Sequence, residues 1–259
     1  MKKQAFSKIL IAVVIVLLAI IFLFPVIASI LKSFFSDSKL TISNYMELLF
    51  DCFIFYPMFW NSMLYATIIT LLQLVVIIPC AFGFIHAKFR GKNALYIFYI
   101  MLMMMPLQVT ILPNFIGLRD MGLLYTRWGI ILPMIFAPFG VIVMHQYMKG
   151  IDDSIIEAAR LDTSSMVRIL LTAVIPQLRV CIFAVALFVF AECWNMVEQP
   201  MLFLKEDRLK TLTIMISQTD TYPTAILSAA AVIFMIPVLL LYLFFNENLE
   251  KGLTLKDLS

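Results

Sequence analysis

The sequence predicts an all-α integral membrane protein with about six transmembrane helices and both termini in the cytoplasm. Three observations predict it. Of 259 residues, 63% are hydrophobic and 14% charged, with a mean hydropathy of +1.01. A water-soluble domain holds about 45–50% apolar and about 25% charged residues, so lipid must be the solvent for much of this chain. Six apolar segments, at about 9–31, 63–85, 94–116, 129–148, 178–203 and 225–245, are long enough to cross a hydrocarbon core. With the N-terminus inside, twelve of the 19 Lys and Arg residues fall in cytoplasmic pieces and seven in outer ones.

The first segment follows the start MKKQAFSKIL and runs to about Leu31, interrupted only by Pro25, with no small-residue cleavage site after it. It reads as a retained helix rather than a signal peptide. Residues 32–62 form an outer connection. The second span ends in the basic turn HAKFRGKN (86–93), whose Lys88, Arg90 and Lys92 set topology. The third carries Pro106 and Pro113, and marks either a kinked helix beside a pathway or a packing kink. Residues 149–177 follow on the inside, more than a turn between spans requires. The fifth span carries Glu192, Asn195, Glu198 and Gln199. The outer loop at about 204–224 holds an apolar stretch from Leu209 to Ile216 and is expected to fold into a small structure, closed by Tyr222-Pro223 before the sixth span. The whole of 1–259 is thus one membrane domain.

Several classes of function are excluded. Cys52, Cys80, Cys181 and Cys193 are scattered with no metal or disulfide spacing, and read as buried thiols. No G-x-x-x-x-G-K-[ST] occurs, and only eight glycines are present, so the chain has no phosphate cradle and any ATP hydrolysis belongs to a separate subunit. Neither H-E-x-x-H nor G-x-S-x-G is present, and His86 and His145 read as interfacial or structural. An enzyme, a bound cofactor and a metal site are therefore not expected. A net charge of +3 offers no basis for nucleic-acid binding.

The inner segment 149–177 is the informative one. Gly150 ends the fourth span, and Asp152 and Asp153 place negative charge at a helix start. Ser154 to Glu157 fits a capping box. Ile155 to Leu161 then predict a short helix, stopped by Asp162-Thr163-Ser164-Ser165, whose side chains compete for backbone hydrogen bonds. Ala158 and Ala159 let another surface approach closely. Physics alone leaves two readings open: docking into a groove on a cytoplasmic partner, or resting on lipid headgroups.

Glu157-Ala158-Ala159-Arg160-Leu161-Asp162, followed by Ile175-Pro176, resembles the EAA motif of binding-protein-dependent ABC importer permeases, which reads E-A-A, three residues, G, nine residues, I-x-L-P. The spacing is kept. Thr163 stands at the glycine position and so must avoid a left-handed backbone, and Ala173 replaces the first isoleucine. Trp60-Asn61-Ser62 is similar to the F-x-N-S start of these permeases' core. Phe190 to Leu204 with Thr211-Leu212-Thr213 looks like the W-N-x-x-x-x-P-L-x-F-L…T-L stretch of the carbohydrate branch. Ala229-Ala230-Ala231, Ile236-Pro237, Gly252-Leu253 and Lys256 are similar to its ending. The layout is closest to the maltose-type "G" permeases.

The resemblance implies the type I ABC importer permease fold in a bacterial or archaeal inner membrane. It implies a second related permease, two ABC ATPase subunits carrying ATP and Mg, and an extracellular solute-binding protein. Residues 152–163 would be the coupling helix, with Glu157, Ala158, Ala159, Asp162, Thr163 and Pro176 as the ATPase-coupling residues. The cargo would be a sugar or oligosaccharide; the alternatives are a polyamine or other small polar solute, or a secondary transporter, for which no internal repeat is evident. The outer loop would reach the binding protein, with Gln218 and Thr219 as contacts. Glu192, Asn195 and Gln199, at i, i+3 and i+7, form one stripe of a continuous helix, with Glu198 pointing away. Two readings stand for it: hydrogen bonds to sugar hydroxyls during passage, with Trp194 stacking on a ring, or bonds to a neighbouring helix near the outer surface.

Overall fold

A computed structural model of the chain describes residues 2–36, 39–87 and 89–254, with side chains from Leu10 to Phe245 within those limits. Lys88 of the basic turn and Lys256 of the terminal motif lie outside the described residues. The chain divides into two compact units, Met1–Tyr56 with Met215–Ile236, and Pro57–Ile214 with Pro237–Ser259.

In the first unit, α1 (Lys2–Ser33) is exposed on every side from Leu10 to Pro25. A helix that is apolar and exposed all round is what lipid tolerates and water does not. Its end is secured by polar side chains. The Ser33 hydroxyl donates to the Ile30 carbonyl (2.6 Å) and shares a 2.7 Å hydrogen bond with the Tyr45 hydroxyl. The Asn44 amide donates to the Ser33 and Phe35 carbonyls, taking up acceptors that a helix end leaves unpaired. A small antiparallel hairpin of β1 (Phe35–Ser36) and β2 (Lys39–Leu40) leads to α2 (Ser43–Met46) and a wide turn at Glu47–Asp51.

The long helix α3 (Phe55–His86) starts well before the expected position near 63, so Trp60-Asn61-Ser62 lie inside it rather than ahead of it. Pro57 sits in the first turn, where a missing N–H costs nothing, and buried Phe55 and Met58 extend the packed length. The second unit continues with α4 (Lys92–Met103) and α5 (Leu107–Asp120), then α6 (Arg127–Ile135) and α7 (Pro138–Met148). On the inner segment lie α8 (Asp153–Asp162), α9 (Met166–Ile169), a wide turn Leu170–Val174 and α10 (Ile175–Gln177). After it come α11 (Arg179–Trp194), α12 (Glu198–Phe203), a 3₁₀ turn Asp207–Leu209, α13 (Leu212–Ser217) and α14 (Thr224–Thr254).

Among the described residues, four stretches are long and apolar enough to cross a membrane: Leu10–Ser33, Phe55–His86, Arg127–Met148 and Thr224–Phe245. Two bent pairs bring the number to six if each is one span: Lys92–Met103 with Leu107–Asp120, bent by 100°, and Met166–Gln177 with Arg179–Trp194, bent by 83°. The expected third span, 94–116, is thus sharply broken at Met104–Pro106. The expected fifth, 178–203, is not one helix: α11 ends at Trp194 and α12 starts at Glu198.

Prolines explain three of the breaks in one way. In a continuing helix each carbonyl would accept the N–H four residues on, and proline has none. Pro106 orphans the Leu102 carbonyl, which takes the Met105 N–H in a tighter turn (3.2 Å). Pro138 orphans the Met134 carbonyl, which accepts the side-chain amide of Gln73 on α3 (2.5 Å); Gln73 is only 1% exposed. Pro200 does the same to the Met196 carbonyl, which accepts the hydroxyls of Thr213 (2.6 Å) and Thr211 (3.5 Å). At Pro138 and Pro200, buried side chains thus replace the donors the backbone cannot supply.

The core of this unit forms where α7 packs against α4 and α11. Phe139 lies on Phe188 (ring centroids 4.6 Å) and His145 on Tyr96 (4.1 Å), which fits His145 as a buried structural residue. Gly140 makes the approach possible. A Cβ there would press into the Cδ1 of Ile77 and lie 3.4 Å from Val185.

Candidate translocation cavity and coupling segment

The three breaks meet at a cavity of about 910 Å³. Met103, Met105 and Leu107 line it from the α4–α5 break, Phe136 and Ala137 from the α6–α7 break, and Asn195, Met196 and Val197 from the α11–α12 break. Apolar walls come mostly from methionines and phenylalanines. The polar groups come from Thr110, Asn114, Glu192, Asn195, Glu198 and Gln199. Walls of apolar surface with few polar groups are the composition of small-molecule sites.

The structure brings Glu192, Asn195 and Gln199 together, though not as a stripe on one helix. Glu192 is on the last turn of α11, Asn195 follows that helix, and Gln199 is in the first turn of α12. The Asn195 side chain donates to the Ala191 carbonyl (2.7 Å) and, with Pro200 ahead, helps close α11. Glu198, expected to point away, lines the same cavity, and the Gln108 amide donates to it at 3.5 Å. The change in chain direction at 195–197 turns it inward, which helical periodicity does not foresee. Trp194 does not offer a ring face: it is 0% exposed, stacked on Phe190 (5.8 Å, 14°) and edge-on to Phe59 (5.9 Å, 88°). Its size keeps it in the protein core, where it supports the break. Glu198, Asn114 and Thr110 are lining residues that sequence reasoning missed. Pro200 was the available signal.

A second polar cluster holds the outer loop at 204–214. Asn61, 4% exposed, donates its amide to the Arg208 carbonyl (2.6 Å) and the Lys210 carbonyl (3.3 Å). The Tyr65 hydroxyl donates to the Leu209 carbonyl (2.9 Å), and the Ser62 hydroxyl accepts the Leu212 N–H (2.9 Å). Arg127 donates to the Asn61 side-chain oxygen at 3.4 Å. The loop is folded as expected: Leu212 and Ile214 of α13 are buried. In the other unit, Gln218 is half-buried, with its N–H on the Met215 carbonyl and its own carbonyl accepting from Thr221, and Thr219 is exposed on the turn that follows.

The inner segment forms α8 within a residue of its expected limits, but its cap differs. The Asp152 carboxylate, not Ser154, is the N-cap and accepts the Ser154 N–H (2.9 Å). That backbone hydrogen bond holds the Asp152 carboxyl below the usual aspartate range. Aspartate reaches the first-turn amides from two residues further back, so the capping box is not the arrangement formed. Ile156 is buried and α8 packs on the wide turn Leu170–Val174. At 100° per residue, Glu157, Ala158 and Leu161 lie on the opposite, outward face, and Leu161 is 90% exposed. Ala159 is half-buried and Asp162 exposed at the helix end. Thr163 is extended (φ −156°, ψ 142°), so no glycine is required there. Its hydroxyl accepts the Ser165 N–H (3.2 Å), and Ser165 caps α9. Pro176, in α10, follows the wide turn.

Residues 73–255 match the model of the family described as "Binding-protein-dependent transport system inner membrane component". The chain is 26% identical to the arabinooligosaccharides transport system permease protein AraQ of Halalkalibacterium halodurans, over 92% of this chain and 91% of that one. It is 27% identical to the trehalose/maltose transport system permease protein MalG of Thermococcus litoralis, over 98% of each. It is 24% identical to the sn-glycerol-3-phosphate transport system permease protein UgpE of Brucella abortus, over 75% and 71%. Among solved structures, a chain of a bacterial ABC transporter involved in the import of the acidic polysaccharide alginate superposes with a TM-score of 0.84 at 23% identity, covering 95% of this chain and 98% of that one. That likeness shows the fold, an ABC importer permease. With its apolar helices, proline-broken cavity and EAA segment on an exposed helix, this multi-pass chain belongs to the family of binding-protein-dependent transport system inner membrane components.

Proposed function

We infer that this chain is one membrane-spanning permease subunit of an ATP-driven importer that takes a sugar or oligosaccharide from an extracellular binding protein and passes it to the cytoplasm. The observation that carries the reading is the cavity at the three helix breaks, with amides, a hydroxyl and carboxylates set among apolar walls. Such a wall offers hydrogen bonds to hydroxyls and flat apolar surface to ring faces. The arabinooligosaccharide and trehalose/maltose permeases among its relatives support the same cargo class. Glu192, Asn195, Glu198 and Gln199 are the pathway residues; Trp194 supports them from behind.

The coupling segment is α8 with Pro176 behind it. Its outward face of Glu157, Ala158 and Leu161 meets a groove on an ABC ATPase, with Glu157 opposite a basic residue. Ala159, Asp162 and Thr163 shape the helix and its exit. A face that combines a charge, a small residue and an exposed leucine favours a protein groove over a headgroup layer. ATP and Mg bind on the two ATPase subunits, and a second, related permease completes the membrane core. Both termini face the cytoplasm of a bacterial or archaeal cell. The loop through Gln218 and Thr219 touches the binding protein.

Two carboxylates on the cavity wall favour a second reading, a permease for a polyamine or other cationic solute. Purifying the tagged complex, reconstituting it in liposomes and following labelled solutes tests both. ATP-dependent uptake of a saccharide is expected. ATP-dependent uptake of spermidine alone would support the second reading, and uptake without ATP would overturn both.

A further inference from the structure

Resting on the importer reading above, we propose that the cavity of this chain selects against anionic cargo, so that uncharged saccharides pass while sugar phosphates and uronates are turned away. Both carboxylates on its wall, Glu192 and Glu198, are exposed to it, and no Lys, Arg or His is among the described residues that line it. Neither carboxylate is in an ion pair with another described residue. Gln199 shows that the wall is built for a polar ligand. It is 7% exposed, lines the cavity, and its side-chain amide makes no hydrogen bond with another described residue. Its amide, which both donates and accepts, is therefore open to whatever enters the cavity. Saccharide hydroxyls, which donate and accept, suit Gln199, Asn195 and both carboxylates. Anionic oxygens only accept, so they suit the amides but are repelled by Glu192 and Glu198.

The effect is large enough to select. Two unit charges about 8 Å apart at an effective dielectric near 20 repel enough to lower occupancy roughly thirty-fold. Water and salt in an open cavity screen this, so about ten-fold discrimination between otherwise matched cargo is the expectation. The relatives divide along this line. The UgpE name carries a phosphate ester and the alginate importer's an acidic polysaccharide, while the AraQ and MalG names carry neutral sugars.

The test is equilibrium dialysis of the complete permease–ATPase complex, trapped with a nucleotide analogue, against radiolabelled maltose and maltobionate at millimolar concentration. Maltose is expected to be retained at least ten-fold better than its carboxylate analogue. The double variant Glu192→Gln/Glu198→Gln should narrow that ratio at least five-fold, and Asn195→Asp, which adds a carboxylate to the same wall, should widen it. Because the readout is a ratio, general loss of binding does not mimic it, and Asn195→Asp guards against a misfolded double variant. Equal retention of both probes by the wild type, a ratio unmoved by these substitutions, or retention of neither sugar nor of labelled spermidine would overturn the proposal. Retention of spermidine in place of maltose would instead overturn the sugar reading of the previous section and leave anion exclusion standing.

Discussion

Replacing Asn61 with alanine tests how the outer loop is held. The side chain is almost wholly buried and supplies two hydrogen bonds across about 147 positions of sequence, to the Arg208 carbonyl at 2.6 Å and the Lys210 carbonyl at 3.3 Å. Its oxygen also accepts from Arg127 at 3.4 Å. An intramolecular hydrogen bond contributes about 0.5–1.5 kcal/mol net, and an acceptor left buried costs about 1–3 kcal/mol. Residues 208–210 are partly exposed, so water can reach those carbonyls and the lower figures apply. Two bonds then give about 1–3 kcal/mol of local stability, and ~1.4 kcal/mol is a factor of ten in an equilibrium. Tyr65 and Ser62 still hold the Leu209 carbonyl and the Leu212 N–H, so the loop loosens without detaching. Hydrogen exchange of the complex in nanodiscs, read on peptides covering 207–214, should accelerate about five- to hundred-fold, with peptides from α7 unchanged. Asn61→Asp keeps an acceptor for Arg127 but cannot donate to carbonyls, and should behave like the alanine variant. Unchanged exchange in both would show that the loop is held by α13 packing alone.

Further outcomes follow from the same geometry. Glu157→Gln leaves the Asp152 cap untouched, so expression should be normal while transport and stimulated ATPase fall several-fold; normal coupled transport would remove the charge from the coupling role. Because its folded-state pKa is depressed, Asp152 stabilises the first turn of α8 above the ordinary aspartate pKa, and that contribution is lost as pH falls through the folded value. A nitroxide at Asp153 should therefore gain mobility on acidification, and Asp152→Asn should remove the pH dependence. Gly140→Leu puts a side chain where a Cβ already meets Ile77, so overpacking should cost about 1–3 kcal/mol and lower thermal stability by several degrees. Cysteines at Gln218 and Thr219 should crosslink to the binding protein in the nucleotide-trapped state; crosslinks from the 32–62 connection instead would move the docking surface.

Much of this was legible because the signals were local. The limits of α8 follow from Gly150, the Asp152-Asp153 pair and the run Asp162 to Ser165, each of which acts on its immediate backbone. Choosing between Asp152 and Ser154 as cap was not legible, because both residues satisfy the pattern and only the backbone turn at Asp152 (ψ 126°) decides. The early start of α3 was hidden because Phe55 to Phe59 do not alternate with polar residues, and burial of Phe55 and Met58 is a tertiary fact. The largest difference, an expected fifth span of 178–203 that instead ends its first helix at Trp194, arises because periodicity carries no sign of the N–H that Pro200 lacks. Glu192, Asn195 and Gln199 nonetheless line one cavity, since polar groups in an apolar segment are costly wherever the backbone turns. Glu198 was assigned to the wrong side for the same reason that the helix was drawn too long.

The substitution of side-chain donors for missing backbone N–H groups ties distant positions of the chain into inherited pairs. Pro138 makes the Gln73 amide necessary, and Pro200 does the same for the hydroxyls of Thr211 and Thr213. A lineage that loses Gln73 while keeping Pro138 leaves a buried carbonyl without a donor; one that loses Pro138 first regains the helical N–H and frees Gln73 to drift. The order of the two changes therefore matters, with one path passing through a damaged intermediate and the other not. Across descendants of this chain, glutamine at 73 should persist wherever proline persists at 138, although the two lie 65 residues apart and on different helices.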